Sequence, residues 1–187
     1  MTHAVVIANK IGAKDNDAWV RPVVSACAVD NGTVFCLRSK SGSAFGYSTD
    51  ETTRSEVWNA TYPISGSLTG LWMALEPELP SAFAGTKQYR GLGTVQDFYT
   101  PAGQVFTAVK LQTGDIITLT ADALTGAHST GSYVTAIVDV PTLDWAASGL
   151  VGTALTLKLL DTTYISIPDG GINSGRTTAY MFEVMQN

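Results

Sequence analysis

Charge is the scarcest commodity in this sequence. Asp, Glu, Lys and Arg make up only 14% of the 187 residues, against about 25% in a typical soluble protein. The 11 basic and 16 acidic residues leave a formal net charge of -5. A protein that binds by neutralising phosphates needs the opposite sign, so nucleic acid and anionic membranes are not expected partners. Histidine is nearly absent: only His3 and His128 occur, too few for a His-rich metal site, which gathers several ligands at one point. No apolar run comes near the roughly 18 residues of a membrane-spanning helix. The start, Met1-Thr2-His3 followed by Ala4 to Ala8, lacks the basic segment and long apolar stretch of a signal peptide, so export by that route is not expected.

Sustained apolar spacing at i, i+3 and i+4 is also missing. The only helix-compatible pieces are Asp50 to Ala60, which Thr52, Thr53 and Val57 weaken, and Thr142 to Ala147. Disorder does not follow from the low charge, because 45% of the residues are hydrophobic and disordered chains are poor in such residues. A folded chain with so few charges is instead expected to have part of its surface covered by something.

Short β-type runs are abundant. Period-two or β-branched segments lie at Leu68 to Leu75, Gln104 to Leu111, Asp115 to Ala121, Ser132 to Val140, Thr153 to Leu160, Tyr164 to Ile167 and Thr177 to Met185. Turn residues separate them at Pro101-Ala102-Gly103, Thr113-Gly114, Thr130-Gly131 and Asp169-Gly170-Gly171. This pattern predicts an all-β, mainly antiparallel protein with a β-sandwich or barrel-like body and little helix. Met1 to Asp17 reads as an amino-terminal arm, and residues 18–187 as one β-rich body. Pro77 and Pro80 interrupt regular pairing near a joint at residues 75–85, which makes a two-lobed body an open alternative. The apolar run Ala4, Val5, Val6, Ile7 and Ala8 has two readings. It could add a strand to a neighbour's sheet, or it could be the first strand of the protein's own sheet.

The sharpest local signal is Asn31-Gly32 between two β-rich runs, which predicts a type I′ hairpin. Counting back from that turn places Cys27 opposite Cys36, close enough for a cross-strand pair that is either oxidised or reduced and packed as two small apolar side chains.

Searches for catalytic chemistry end in bland readings. No Gly-x-Ser-x-Gly elbow is present, and Ser129 is only a sequence neighbour of His128. Asp15 and Asp17 begin like a calcium loop, but Trp19 stands where another oxygen ligand belongs. Gly91-Leu92-Gly93 lacks the third glycine of a dinucleotide site. Asn31-Gly32-Thr33 and Asn59-Ala60-Thr61 match the glycosylation pattern without a secretory signal. Enzymatic activity and cofactors are therefore not expected. Among the four tryptophans, Trp72 reads as core, while Trp19 and Trp145, flanked by Asp17 and Asp144, are candidates for an exposed sugar-stacking platform.

One further reading comes from Leu71 to Gly126. The stretch LWMALEPELP and the later DFYTPAGQVFTAVKLQTGDIITLTADALTG comprise an apolar strand ending near Glu76-Pro77, a turn after Phe98 with Ala102-Gly103, a strand closing on Leu111, and Gly114-Asp115-Ile116 opening the next. This portion resembles accessory head proteins of tailed bacteriophages. The resemblance implies a virion structural protein, a capsid decoration or cement module on the outside of the head that braces neighbouring major capsid subunits, with no cofactor. Its partners would be the major capsid protein and copies of itself, and it would pass through the host cytoplasm during assembly. Under that reading Ala4 to Ala8 is a candidate capsid-contact arm. A carbohydrate-binding or adhesin module of a tail fibre or baseplate is the alternative with the same composition.

Overall fold

The computed structural model describes residues 3–41, 56–76, 98–128, 131–147, 154–168 and 174–187. They form twelve strands, β1 Val6–Lys10, β2 Val20–Val24, β3 Val34–Lys40, β4 Trp58–Thr61, β5 Trp72–Ala74, β6 Val105–Lys110, β7 Ile116–Thr120, β8 Leu124–Thr125, β9 Tyr133–Ala136, β10 Leu143–Ala146, β11 Thr156–Pro168 and β12 Ser174–Gln186. Short 3-10 turns at Gly12–Asp15, Asp17–Trp19 and Ala121–Ala123 are the helical elements among the described residues. The fold is all-β and mainly antiparallel, as the alternating runs predict.

The strands assemble into two bodies. β2, β4, β3, β5 and β6 close in that order into a five-stranded barrel, and β1, β7, β12, β11, β9, β10 and β8 form an open seven-stranded sheet. Alternation along the barrel strands explains how the two meet, since successive side chains of a strand point to opposite faces. On β3, Phe35 and Leu37 fill the barrel while Val34 and Cys36 face the sheet. On β5, Trp72 and Ala74 point into the barrel and Met73 out; on β6, Phe106 and Ala108 point in and Val109 out. The outward set packs against Ile117, Leu119, Val134, Leu143, Leu157, Phe182 and Val184 of the open sheet. Three barrel strands are thus buried on both faces, and one core joins the barrel to the sheet. Inside the barrel, Phe35 and Phe106 meet edge to face with ring centroids 5.5 Å apart.

Two interbody clasps add to this packing. Asp115 is buried and accepts from the backbone N–H of Gly12 at 2.9 Å and of Gln112 at 2.7 Å, tying the first 3-10 turn to the turn before β7. The side-chain amide of Asn187 accepts from Leu71 N–H and donates to the carbonyls of Leu71 and Leu111, each at 2.9 Å, binding the end of β12 to the barrel.

Several local expectations change. Asn31-Gly32 does form a turn, with Thr33 N–H donating to Asp30 C=O at 3.2 Å. Gly32 has φ +84 whereas Asn31 has no positive φ, the signature of a type II turn and not the type I′ expected. The flanking segments do not pair as a hairpin. Val29 bridges to Thr100, and β3 pairs with β4 and β5. The reason is burial, because β3 carries apolar side chains on both faces and only a central position covers both. Thr142 to Ala147, read as helix-compatible, contains β10, whose Leu143 and Trp145 alternate into the core. Of the other helix-compatible piece, Asp50 to Ala60, residues 50–55 lie outside the described residues, and its end falls in β4. The turn at Asp169-Gly170-Gly171 and nearly all of the joint at residues 75–85 also lie outside them.

Candidate functional site

Of the two readings for Ala4 to Ala8, the structure has the intramolecular one. β1 pairs antiparallel with β7, Val6 opposite Leu119 and Ile7 opposite Thr118. Val5 N–H donates to Thr120 Oγ1 at 2.9 Å, and Thr120 N–H returns a bond to Val5 C=O at 3.1 Å. Ala4, Val5 and Val6 are buried, while Ile7 faces outward.

The Cys27–Cys36 pair is a correction. Cys36 sits on β3 opposite Thr61, is buried, and its thiol lies 3.3 Å from the Ser67 carbonyl. Cys27 is exposed, outside any strand, and both thiols are free. Cys27 instead adjoins Tyr62, whose hydroxyl is pushed above its ordinary pKa first by burial and then by the neighbouring Cys27.

Tyr62 stands between two cavities. One of about 230 Å³ is lined by Cys27, Val29, Thr33, Phe35 and Ala60. The other, about 370 Å³, is lined by His3, Asp30, Asn31, Asp122 and Thr142. Thr33 and Tyr62 belong to both. His3 Nδ1 lies 2.8 Å from Asp30 Oδ1 and its ring stacks on Tyr99 at 4.9 Å, which accounts for this histidine as part of the cavity wall.

The more extended surface is made by β11 and β12. Each is 13 residues long, more than twice the usual strand length of about 5–6. β9 pairs with β11 only over Thr156, Leu157 and Lys158, and β7 pairs with β12 only from Ala179 to Glu183. From Asp161 to Thr163 β11 is the edge of the sheet beside β12 and β7, and from Tyr164 opposite Thr178 to Pro168 opposite Ser174 the two strands continue as a two-stranded ribbon. A bulge at Leu160, between the Leu159–Phe182 and Asp161–Met181 pairs, resets the alternation where β11 runs past the end of β9.

Register shows what the ribbon displays. Thr162, Tyr164 and Ser166 lie opposite Tyr180, Thr178 and Arg176, on the face that Phe182 and Val184 present to the core. The core-facing side of the sheet thus runs out into solvent as a ledge. At its root an aromatic cluster closes the core. Trp145 meets Tyr180 edge to face at 5.2 Å and Phe182 at 5.7 Å, and the exposed His128 ring stacks on Tyr180 at 5.0 Å. Farther out Tyr164 is 60% exposed, with the Arg176 guanidinium 5.8 Å from its ring centre. Leu160 is exposed as well.

The tryptophan platform is not formed as expected. Trp145 is only 8% exposed, inside the cluster at the root of the ledge. Trp19 is half-buried and packs against the main core, as Trp72 does against the barrel core. His128 is exposed, but its stacking on Tyr180 gives it a structural neighbour that the sequence did not suggest. Ser129 and Gly91-Leu92-Gly93 lie outside the described residues. The signal that could have found the ledge is present in TTYISIP and TTAYMF, two runs rich in β-branched and aromatic residues that pair with each other, but nothing in either run says that neighbouring strands stop short.

The fold and this surface define an all-β protein made of a closed barrel packed on an open sheet from which a β-ribbon projects. Compared with protein-family models, with curated proteins and with solved structures, the chain matches none of them.

Proposed function

We propose that this chain is a structural component of a bacteriophage particle that decorates or cements the outer surface of the head by binding the major capsid protein, without catalysing a reaction. The observation that carries the reading is the ribbon. An isolated two-stranded hairpin is at best marginally stable in water, and here one extends from a well-packed domain with Leu160 and Tyr164 exposed. Tyr, Trp and Arg are the residues most enriched at the energetic centres of protein interfaces, and the ledge presents Tyr164 beside Arg176 with Tyr180 and Trp145 behind them. A contact of this kind needs at least about 1,000 Å² in total to hold specifically. Many symmetric copies on a particle multiply the effect of each such contact.

The carbohydrate-binding alternative loses its tryptophans to the core and keeps one favourable observation, the open face of Tyr164. Two measurements separate the readings. Mass spectrometry and cryo-EM of purified particles are expected to find the chain in many copies on the head exterior, with the β11–β12 ribbon at the contact. Absence from particles, or confinement to a tail tip, overturns the proposal. A glycan array that lights up and goes dark on Tyr164→Ala assigns the ledge to a sugar instead.

A further inference from the structure

We infer that the outer edge of β11 is a self-association surface, on which a second copy of this chain adds its own β11 in antiparallel register about a two-fold axis at Tyr164. The inference concerns the chain in solution and stands apart from the head-decoration reading. It starts from the edge itself. Past Lys158 no strand among the described residues pairs with β11 on the side away from β12, so the main chain from Asp161 onward presents the template that natural proteins ordinarily blunt. The usual devices are charge on the edge, a proline or a bulge within it, or a covering segment, and on β11 the Leu160 bulge, Asp161 and Pro168 stand only at the two ends of the stretch. Here the sequence from Thr162 to Ile167 is Thr-Thr-Tyr-Ile-Ser-Ile, without a charge or a proline and made almost wholly of β-branched and aromatic residues. Such a segment has a high intrinsic tendency to pair.

Charge selects the occupant. Centred on Tyr164, antiparallel pairing of β11 with its copy sets Thr162 opposite Ser166, Thr163 opposite Ile165 and Asp161 opposite the Ile167 position. The only charge within the paired stretch therefore meets an apolar position and never its own copy. Tyr164 meets Tyr164 across the axis, an aromatic cross-strand pair of the favourable kind. Both partners use the same edge, so the assembly closes at two instead of propagating. The contact is small, below the roughly 1,200 Å² of stable complexes, and its dissociation constant falls in the roughly micromolar range.

Sedimentation velocity over a concentration series tests this. The wild-type chain is expected to shift from monomer towards dimer as its concentration rises through the micromolar range. Tyr164→Lys places like charges opposite each other at a site 60% exposed in the monomer and is expected to weaken the dimer at least about tenfold while the far-ultraviolet circular dichroism spectrum of the fold is unchanged. Tyr164→Glu behaves likewise alone, and an equimolar mixture of the two variants recovers the dimer. A wild-type chain that stays monomeric at several hundred micromolar, a Y164K dimer as tight as wild type, or a mixture that fails to associate each overturns the proposal. None of these results bears on whether the chain is found on heads, which the particle measurement decides independently.

Discussion

Replacing Asn31 by alanine isolates one side chain's contribution to the junction of β3 and β5. Asn31 is 2% exposed, and its side-chain amide pairs with the main chain of Glu76 as a strand residue would. Its Nδ2–H donates to Glu76 C=O at 3.0 Å, and its Oδ1 accepts from Glu76 N–H at 2.9 Å. Because Asn31 has no positive φ, alanine fits the backbone without strain and the loss reports the amide alone. Each neutral hydrogen bond contributes about 1 kcal/mol net, and a buried group left unpaired costs about 1–3 kcal/mol. Glu76 is half-buried, so water restores part of the loss, and the expected destabilisation is about 2–3 kcal/mol. For a chain of this size that corresponds to a fall of roughly 4–12 °C in melting temperature. Urea unfolding followed by tryptophan fluorescence is the assay, since the continuous core joining barrel and sheet should give one transition with an unchanged denaturant slope. A loss below about 0.5 kcal/mol, within the range of an unimportant surface change, would refute the reasoning.

Three further outcomes are expected. Gly32→Ala should cost at least about 1 kcal/mol, because the residue has φ +84 and an added Cβ would lie 3.1 Å from Ala123 Cβ and 3.2 Å from Val6 Cγ2; a variant as stable as wild type by urea titration contradicts this. In the native protein a thiol reagent should label the exposed Cys27 quickly and the buried Cys36 only on unfolding, and mild oxidant should form no internal disulfide; formation of one counts against the arrangement in which both thiols are free and Cys36 is buried. Finally, Tyr62 has its folded-state pKa raised above its ordinary value, so the folded state holds the phenolic proton more tightly than the unfolded chain. Its contribution is therefore fully present below about pH 10 and lost as pH rises through the higher folded-state value. Tyr62→Phe should flatten that alkaline limb of a stability–pH profile, and an identical profile in the variant contradicts the assignment.

What the sequence determined by itself is what depends on a few adjacent residues. Gly103, Gly114 and Gly32 all take the positive φ that their turns require, and the period-two runs of β6, β7 and β9 are strands because alternation needs nothing beyond the run itself. Tertiary structure decided which strands meet. β3 left the neighbour that its turn suggested, since covering Val34 and Cys36 on one face and Phe35 and Leu37 on the other required β4 and β5 on its flanks and the open sheet across from it. Leu143 and Trp145 alternate too, but over a stretch too short for periodicity to outweigh a helical reading, and only the aromatic cluster with Tyr180 and Phe182 settled it. The ledge was the least accessible feature. The two runs read separately at Thr153 to Leu160 and Tyr164 to Ile167 are one strand continued through a bulge, and its exposure comes from β7 and β9 ending early. A strand's own residues carry its tendency to extend, but whether an edge is covered depends on the length of other strands, and that is a property of the assembled sheet.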